Sequence, residues 1–157
     1  MLNLIGVHEC KMDAKGRVAI PAGLKRQLLP VLERGFVLKQ SVFQKCLELY
    51  PMHEWEKTMS KVNKLNRFVK KNNDFIRRFT AGVKLLEVDA NGRLNVPRDL
   101  MQFANLQSEV VMSSAVGMIE VWNKKNYVDS IENAEVDFGD LAEDVMGSLN
   151  EPEDGLS

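Results

Sequence analysis

Asp13-Ala14-Lys15-Gly16-Arg17-Val18-Ala19-Ile20-Pro21 occurs a second time, seventy-six residues on, as Asp89-Ala90-Asn91-Gly92-Arg93-Leu94-Asn95-Val96-Pro97. Asp, Ala, Gly, Arg and Pro recur at identical spacing. An aliphatic residue precedes each Pro, and a Leu follows it three residues later (Leu24, Leu100). Self-similarity at a fixed offset marks a duplicated supersecondary unit, so the chain is read as two copies of one motif.

The residues around each copy define that unit. Residues 6–12 alternate as a strand, with His8, Cys10 and Met12 on one face and Val7, Glu9 and Lys11 on the other. Residues 13–16 form a turn in which Gly16 is available for positive φ. Residues 17–20 restart a short strand. Pro21 suits a first helical position, where its missing amide hydrogen would have no partner anyway. Leu24, Leu28 and Leu29 give the helix an apolar stripe, with Lys25 and Arg26 facing solvent. Residues 36–39 and 46–50 are two further strands, which makes the unit β-β-α-β-β. In the second copy residues 83–88 repeat the first strand, Pro97 opens a helix with Leu100 and Met101, and residues 110–114 and 118–122 complete the strands. Leu86 stands where the first copy has Cys10, so that thiol reads as small core.

Between the copies, Pro51 opens an amphipathic helix with Met52, Trp55, Met59, Val62 and Leu65 on one face. A second helical piece carries Phe75, Ile76 and Phe79. Nine cations lie between Lys57 and Lys84, against the single acid Asp74. They read as a solvated face, with direct phosphate contact as the alternative. The resulting division is a first repeat over residues 1–50, a connector over 51–82, a second repeat over 83–122, a helix over 123–135 and a tail over 136–157. The tail is acidic and poor in core formers, and it is expected to be disordered.

Charge is distributed unevenly. Of 22 acids, ten lie from Asp129 onward, where there is no Lys or Arg, so the first 128 residues carry 21 cations against 12 acids. A basic body with an acidic tail suits a polyanionic partner. At 45% apolar the chain can bury a core, yet no run reaches the roughly 18 apolar residues of a membrane span. The first six residues do not suggest a secretory signal. Cys10 and Cys46 lack metal-ligand spacing and read as free thiols of a reducing compartment. His8 and His53 are isolated, and Trp55 and Trp122 sit in apolar contexts that favour core over base stacking.

On its paired Asp-x-x-x-Arg segments, each followed by aliphatic-Pro, the chain resembles the MraZ family. More broadly it resembles the AbrB-like (SpoVT/AbrB) swapped-hairpin DNA-binding fold. The resemblance covers about residues 1–135 and implies an α+β fold, with two β-β-α-β-β repeats interlocked in one double-psi-like barrel and amphipathic helices after each repeat. It implies a closed homo-oligomeric ring of about eight or more subunits. That ring would bind tandem direct repeats of double-stranded DNA upstream of the division and cell-wall gene cluster and regulate its transcription, in the cytoplasm and at the nucleoid. The family's DNA-contacting groups map onto Lys15, Arg17 and Arg93. Asp13, Gly16, Asp89 and Gly92 then structure the turns, each Asp accepting backbone amides or fixing its Arg. One departure is Asn91 where the first copy has Lys15, which leaves the second copy one cation poorer and expected to contribute less.

No enzyme is expected: the chain has no nucleotide-binding glycine loop, no Cys/His nucleophile pattern and no acid/base pair with a reason to be close. No catalytic residue, cofactor, metal, membrane partner or small-molecule substrate follows from the sequence. The rival readings are a ring-forming scaffold without specific DNA binding, which would not need Arg in both copies, and an RNA-binding protein.

Overall fold

In the computed structural model, which describes residues 2–150, the chain forms two compact units, Met1–Lys124 and Lys125–Ser157. The first half of the chain runs β1 (Val7–Lys11), β2 (Arg17–Ala19), α1 (Ala22–Leu28), β3 (Phe36–Gln40), β4 (Leu47–Pro51), α2 (Met52–Val62) and α3 (Lys70–Thr80). The second half repeats that order as β5 (Lys84–Leu86), β6 (Arg93–Asn95), α4 (Arg98–Phe103), β7 (Glu109–Ala115), β8 (Met118–Asn123), α5 (Lys124–Glu132) and α6 (Phe138–Gly147).

The two repeats are interlocked. A six-stranded antiparallel sheet has the order β1-β7-β8-β4-β3-β5, so β1 of the first repeat is bonded to β7 of the second, and β5 to β3. The order reads the same from either end once the repeats are exchanged. The exchange axis passes between β4 and β8, where Glu48 faces Glu120. A second, two-stranded ribbon pairs β2 with β6, centred on Val18 opposite Leu94. This is the doubled swapped-hairpin architecture that the family resemblance implied.

Alternation sets which side is buried. In β1, Val7, Glu9 and Lys11 are exposed while His8 and Cys10 are half-buried, as the period of two requires. One core draws on both copies: Val18, Leu24, Leu28, Phe36, Leu47 and Leu49 from the first, and Leu94, Leu100, Val110, Met112 and Ile119 from the second. Burying each such apolar side chain contributes about 2 kcal/mol, and the two copies share that contribution in one core. Cys10 packs against this core, and the thiol of Cys46 is fully buried.

The outer face of β3 and β4 is covered by α2 and α3 through aromatic contacts. Tyr50 meets Trp55 edge-on at 5.4 Å, and Trp55 stacks on Phe79 at 6.0 Å. Trp55 is thus packed among aromatic rings, and Trp122 is buried. Lys39 is also buried, with Nζ 4.4 Å above the Phe79 ring and 3.7 Å from Glu48. The cations Lys57, Lys61, Lys64, Arg67, Lys70, Lys71, Arg77 and Arg78 are exposed.

The expectation of a disordered tail is corrected over residues 138–150. Asp137 caps α6 by accepting from the Asp140 amide at 3.1 Å, and a short 3-10 turn, Ser148–Asn150, follows. Phe138, Leu141 and Val145 recur at helical spacing and stay exposed, so this is an amphipathic helix with acids on its other positions. Acidity had masked that period. Residues 151–157 lie outside the described residues.

Candidate nucleic-acid interface

Each repeated turn is a closed local network. Asp13 Oδ1 accepts the Lys15 amide at 2.9 Å and the Arg17 amide at 3.0 Å, and its Oδ2 accepts Arg17 Nε at 2.6 Å. In the second copy Asp89 Oδ1 accepts the Asn91 and Arg93 amides at 2.8 and 2.9 Å, and Oδ2 accepts Arg93 Nε at 3.2 Å. The two alternative roles for the carboxylates are therefore one: each Asp satisfies backbone amides with one oxygen and aims its Arg with the other. Both carboxyls lie below the ordinary carboxylate range, chiefly because the Arg backbone N–H binds the ionised form, with the Arg side chain and the amide two residues on adding to it.

Positive φ closes the turns. Gly16 has φ 86° and Gly92 φ 74°, and each donates its amide to the Asp carbonyl at 3.0 Å. The glycine carbonyls bind across the repeats: Gly92 accepts from Ile20 at 3.1 Å and Gly16 from Val96 at 2.8 Å. Each turn is thus held by the strand that follows the other turn.

The ribbon brings the two arginines onto one surface. Arg17 pairs with Asn95, and Ala19 with Arg93, so these four residues share a face while Val18 and Leu94 point into the core. Arg17 and Arg93 are diagonal neighbours, with a separation of about 7–8 Å expected between such positions. Each guanidinium is bound to its Asp through Nε, and among the described residues neither Nη group has an acceptor. A guanidinium fixed by one edge and open at the other two nitrogens can bind a phosphate or a base edge in bidentate fashion. Lys15 and Asn91 are exposed at the tips.

One depression, of about 740 Å³, lies between residues 39–45 and α3; it is lined by Val42, Phe43, Phe75 and Phe79, and no residue of the repeated motif borders it. Among the described residues no group of three His, Cys, Asp or Glu is arranged to hold a metal ion. His8 packs against Gly6 and Gly23, and His53 lies 3.3 Å from Glu54. Burial pushes the thiols up, Cys10 to about 11 and Cys46 to about 12, so both are protonated near neutrality. Among the described residues no helix is long and apolar enough to cross a membrane.

The family model for MraZ protein matches this chain twice, over residues 4–78 and 79–148. The chain belongs to the MraZ family. The first match runs from before β1 into α3 and the second from the end of α3 through α6, so the matched regions include helices that follow the strands. The chain is 58% identical to the transcriptional regulator MraZ of Christiangramia forsetii over 157 residues, covering all of both chains. It shows the same identity and coverage with the MraZ regulator of Flavobacterium psychrophilum. The Cytophaga hutchinsonii regulator is 35% identical over 138 residues, 88% of this chain and 91% of that one.

The sequence pointed to Lys15, Arg17 and Arg93 as three separate cations on two turns. It missed that the two arginines share one face, because strand pairing between the copies is a long-range fact. The available signal was the repeat itself, which makes β2 and β6 equivalent strands of two copies.

Proposed function

We propose that this MraZ-family chain is a sequence-specific DNA-binding transcriptional regulator and not an enzyme. It reads tandem promoter-proximal repeats upstream of the division and cell-wall gene cluster through Lys15, Arg17 and Arg93, and it works in the cytoplasm at the nucleoid. The observation that carries this reading is the β2–β6 ribbon. Two guanidiniums, each anchored by its own Asp, stand side by side on an outward face. A bare pair of carboxylates would repel DNA, but here their charge is engaged by backbone amides and the Arg Nε. The printed role of the relatives, transcriptional regulation, agrees with the same reading.

One ribbon gives modest affinity. A homo-oligomeric ring of about eight or more copies multiplies it on direct repeats, since later contacts form at high effective concentration. Unpartnered apolar side chains support an assembling chain: Phe68 is fully exposed, Leu85 is 72% exposed, and α6 presents Phe138 and Val145. We divide the chain functionally into the repeats 1–50 and 83–122, which carry the ribbon, and the helical segments after each, which serve assembly.

The test is a mobility-shift titration with DNA upstream of the protein's own gene, comparing wild type with Arg17→Glu/Arg93→Glu. A shift lost in the folded double variant is the expected result. An equal shift in both overturns the assignment, and a scaffold without DNA affinity would shift in neither. Native mass spectrometry at micromolar concentration should give a ring mass, and a monomer or dimer would remove the ring.

A further inference from the structure

The second turn has Asn91 where the first has Lys15, but the fold places another cation beside it. A Cβ built on Gly92 would lie 2.9 Å from Lys25 Nζ and 3.7 Å from its Cε. Lys25 belongs to α1, in the first repeat, so it reaches the turn of the opposite repeat. The crossing follows from the swapped strands: Ile20, directly before Pro21, donates its amide to the Gly92 carbonyl, and α1 begins there. The first turn is backed in the same way by α4. A Cβ on Gly16 would lie 2.6 Å from Met101 Cε, and Arg98 lines the small recess that Lys15 also borders.

The seventy-six-residue offset makes the exchange explicit. Lys15 corresponds to Asn91, and Lys25 corresponds to Met101. At the first turn the lysine comes from the turn itself and the crossing helix offers Met. At the second turn the crossing helix offers the lysine and the turn offers Asn. Each turn therefore has one lysine at or beside it, and the first turn has Arg98 in addition. Lys25 is exposed, and its backbone amide bonds only within its own helix, to the Pro21 carbonyl at 2.8 Å.

We propose that Lys25 is a DNA-phosphate contact of the second turn, supplied in cross from the first repeat and taking the part that Lys15 plays at the first turn. The ligand is the backbone phosphate of duplex DNA, since an ammonium on a flexible stem is a point charge suited to phosphate and not to bidentate base reading. The inference rests on the DNA-binding reading above.

The experiment is a fluorescence-anisotropy titration of the full-length protein on a duplex of direct repeats, across a salt series. The variants are Lys25→Met, which copies the residue at the equivalent position, Lys25→Met/Asn91→Lys, and Arg93→Glu. Thermal melting checks that each is folded. One lost phosphate contact lowers the log-log salt slope by roughly 0.9 per engaged protomer, about fivefold in affinity at 0.15 M salt. Lys25→Met should show that loss, and Asn91→Lys should restore it by returning the charge to the turn. Wild-type binding by Lys25→Met, with Arg93→Glu impaired, overturns this proposal and leaves the DNA reading standing. A loss that Asn91→Lys does not recover also overturns it, because Lys25 would then act structurally. If Arg93→Glu too binds like wild type, the assignment of the turns as the DNA site fails with it, and if the wild type does not bind the duplex the DNA reading itself fails.

Discussion

Glu48 and Glu120 lie directly opposite each other across the β4–β8 pair, on the axis that relates the two repeats. Like charges so placed oppose pairing. Each is held by the aromatic residue two positions on: Tyr50 Oη donates to Glu48 at 2.9 Å and Trp122 Nε1 to Glu120 at 3.0 Å. Symmetry breaks at the next strand. Buried Lys39 faces Glu48, whereas Ser113 occupies the corresponding place opposite Glu120.

That difference predicts opposite outcomes for one substitution. Glu120→Gln removes repulsion and should be neutral or stabilising by up to about 1 kcal/mol. Glu48→Gln removes the counter-charge of the Lys39 ammonium, whose pKa burial already lowers and Glu48 supports, leaving it the Gln40 carbonyl and the Phe79 ring, and should cost about 3 kcal/mol. Thermal melting checks the pair, and equal shifts for both variants would contradict the asymmetry.

Glycine replacement should also be unequal. Gly16→Ala and Gly92→Ala both place a side chain at positive φ, which costs about 1 kcal/mol. At Gly92 the new methyl meets the mobile Lys25 ammonium, but at Gly16 it meets the Val96 carbonyl at 2.9 Å, and backbone cannot step aside. Gly16→Ala should destabilise more, by about a further 1 kcal/mol, seen as the lower melting temperature of the two.

Acid should loosen the turns only at low pH. Asp13 and Asp89 have folded pKa values below the ordinary carboxylate value. Their contribution is complete above the unfolded value of about 3.9 and is lost as pH falls through the lower folded values. The melting-temperature gap between wild type and Asp13→Asn/Asp89→Asn should therefore stay constant from pH 7 to 5 and close below about 4. A gap that closes near pH 6 would contradict these assignments.

The thiols should be inert. With Cys46 pushed up to about 12 and Cys10 to about 11, native protein at pH 8 should react with a thiol reagent far more slowly than denatured protein. Native reaction at the denatured rate would contradict the burial of both.

The parts of the fold carried by short-range pattern were legible in the chain itself. The nine-residue repeat, the prolines before α1 and α4 and the period of two in β1 placed the elements, and the Leu86–Cys10 correspondence anticipated a core cysteine. Long-range facts were not legible. Composition alone hid α6, because acids fill the positions between its apolar residues. Lys39 looks like any strand lysine until α3 is known to cover it. Lys25 looks like a solvated helix residue until the swapped strands bring α1 to the opposite turn. For Lys39 and Lys25 the missing information is which distant segment lies alongside.

The central claim is that Arg17 and Arg93 form one DNA-facing surface on the β2–β6 ribbon. The most direct measurement is the salt dependence of binding to a direct-repeat duplex for wild type, Arg17→Ala, Arg93→Ala and the double variant. If the two guanidiniums each hold a phosphate, every single substitution lowers the log-log slope by roughly 0.9 per engaged protomer and the double by about twice that. A slope that stays at the wild-type value in the folded double variant would contradict the claim.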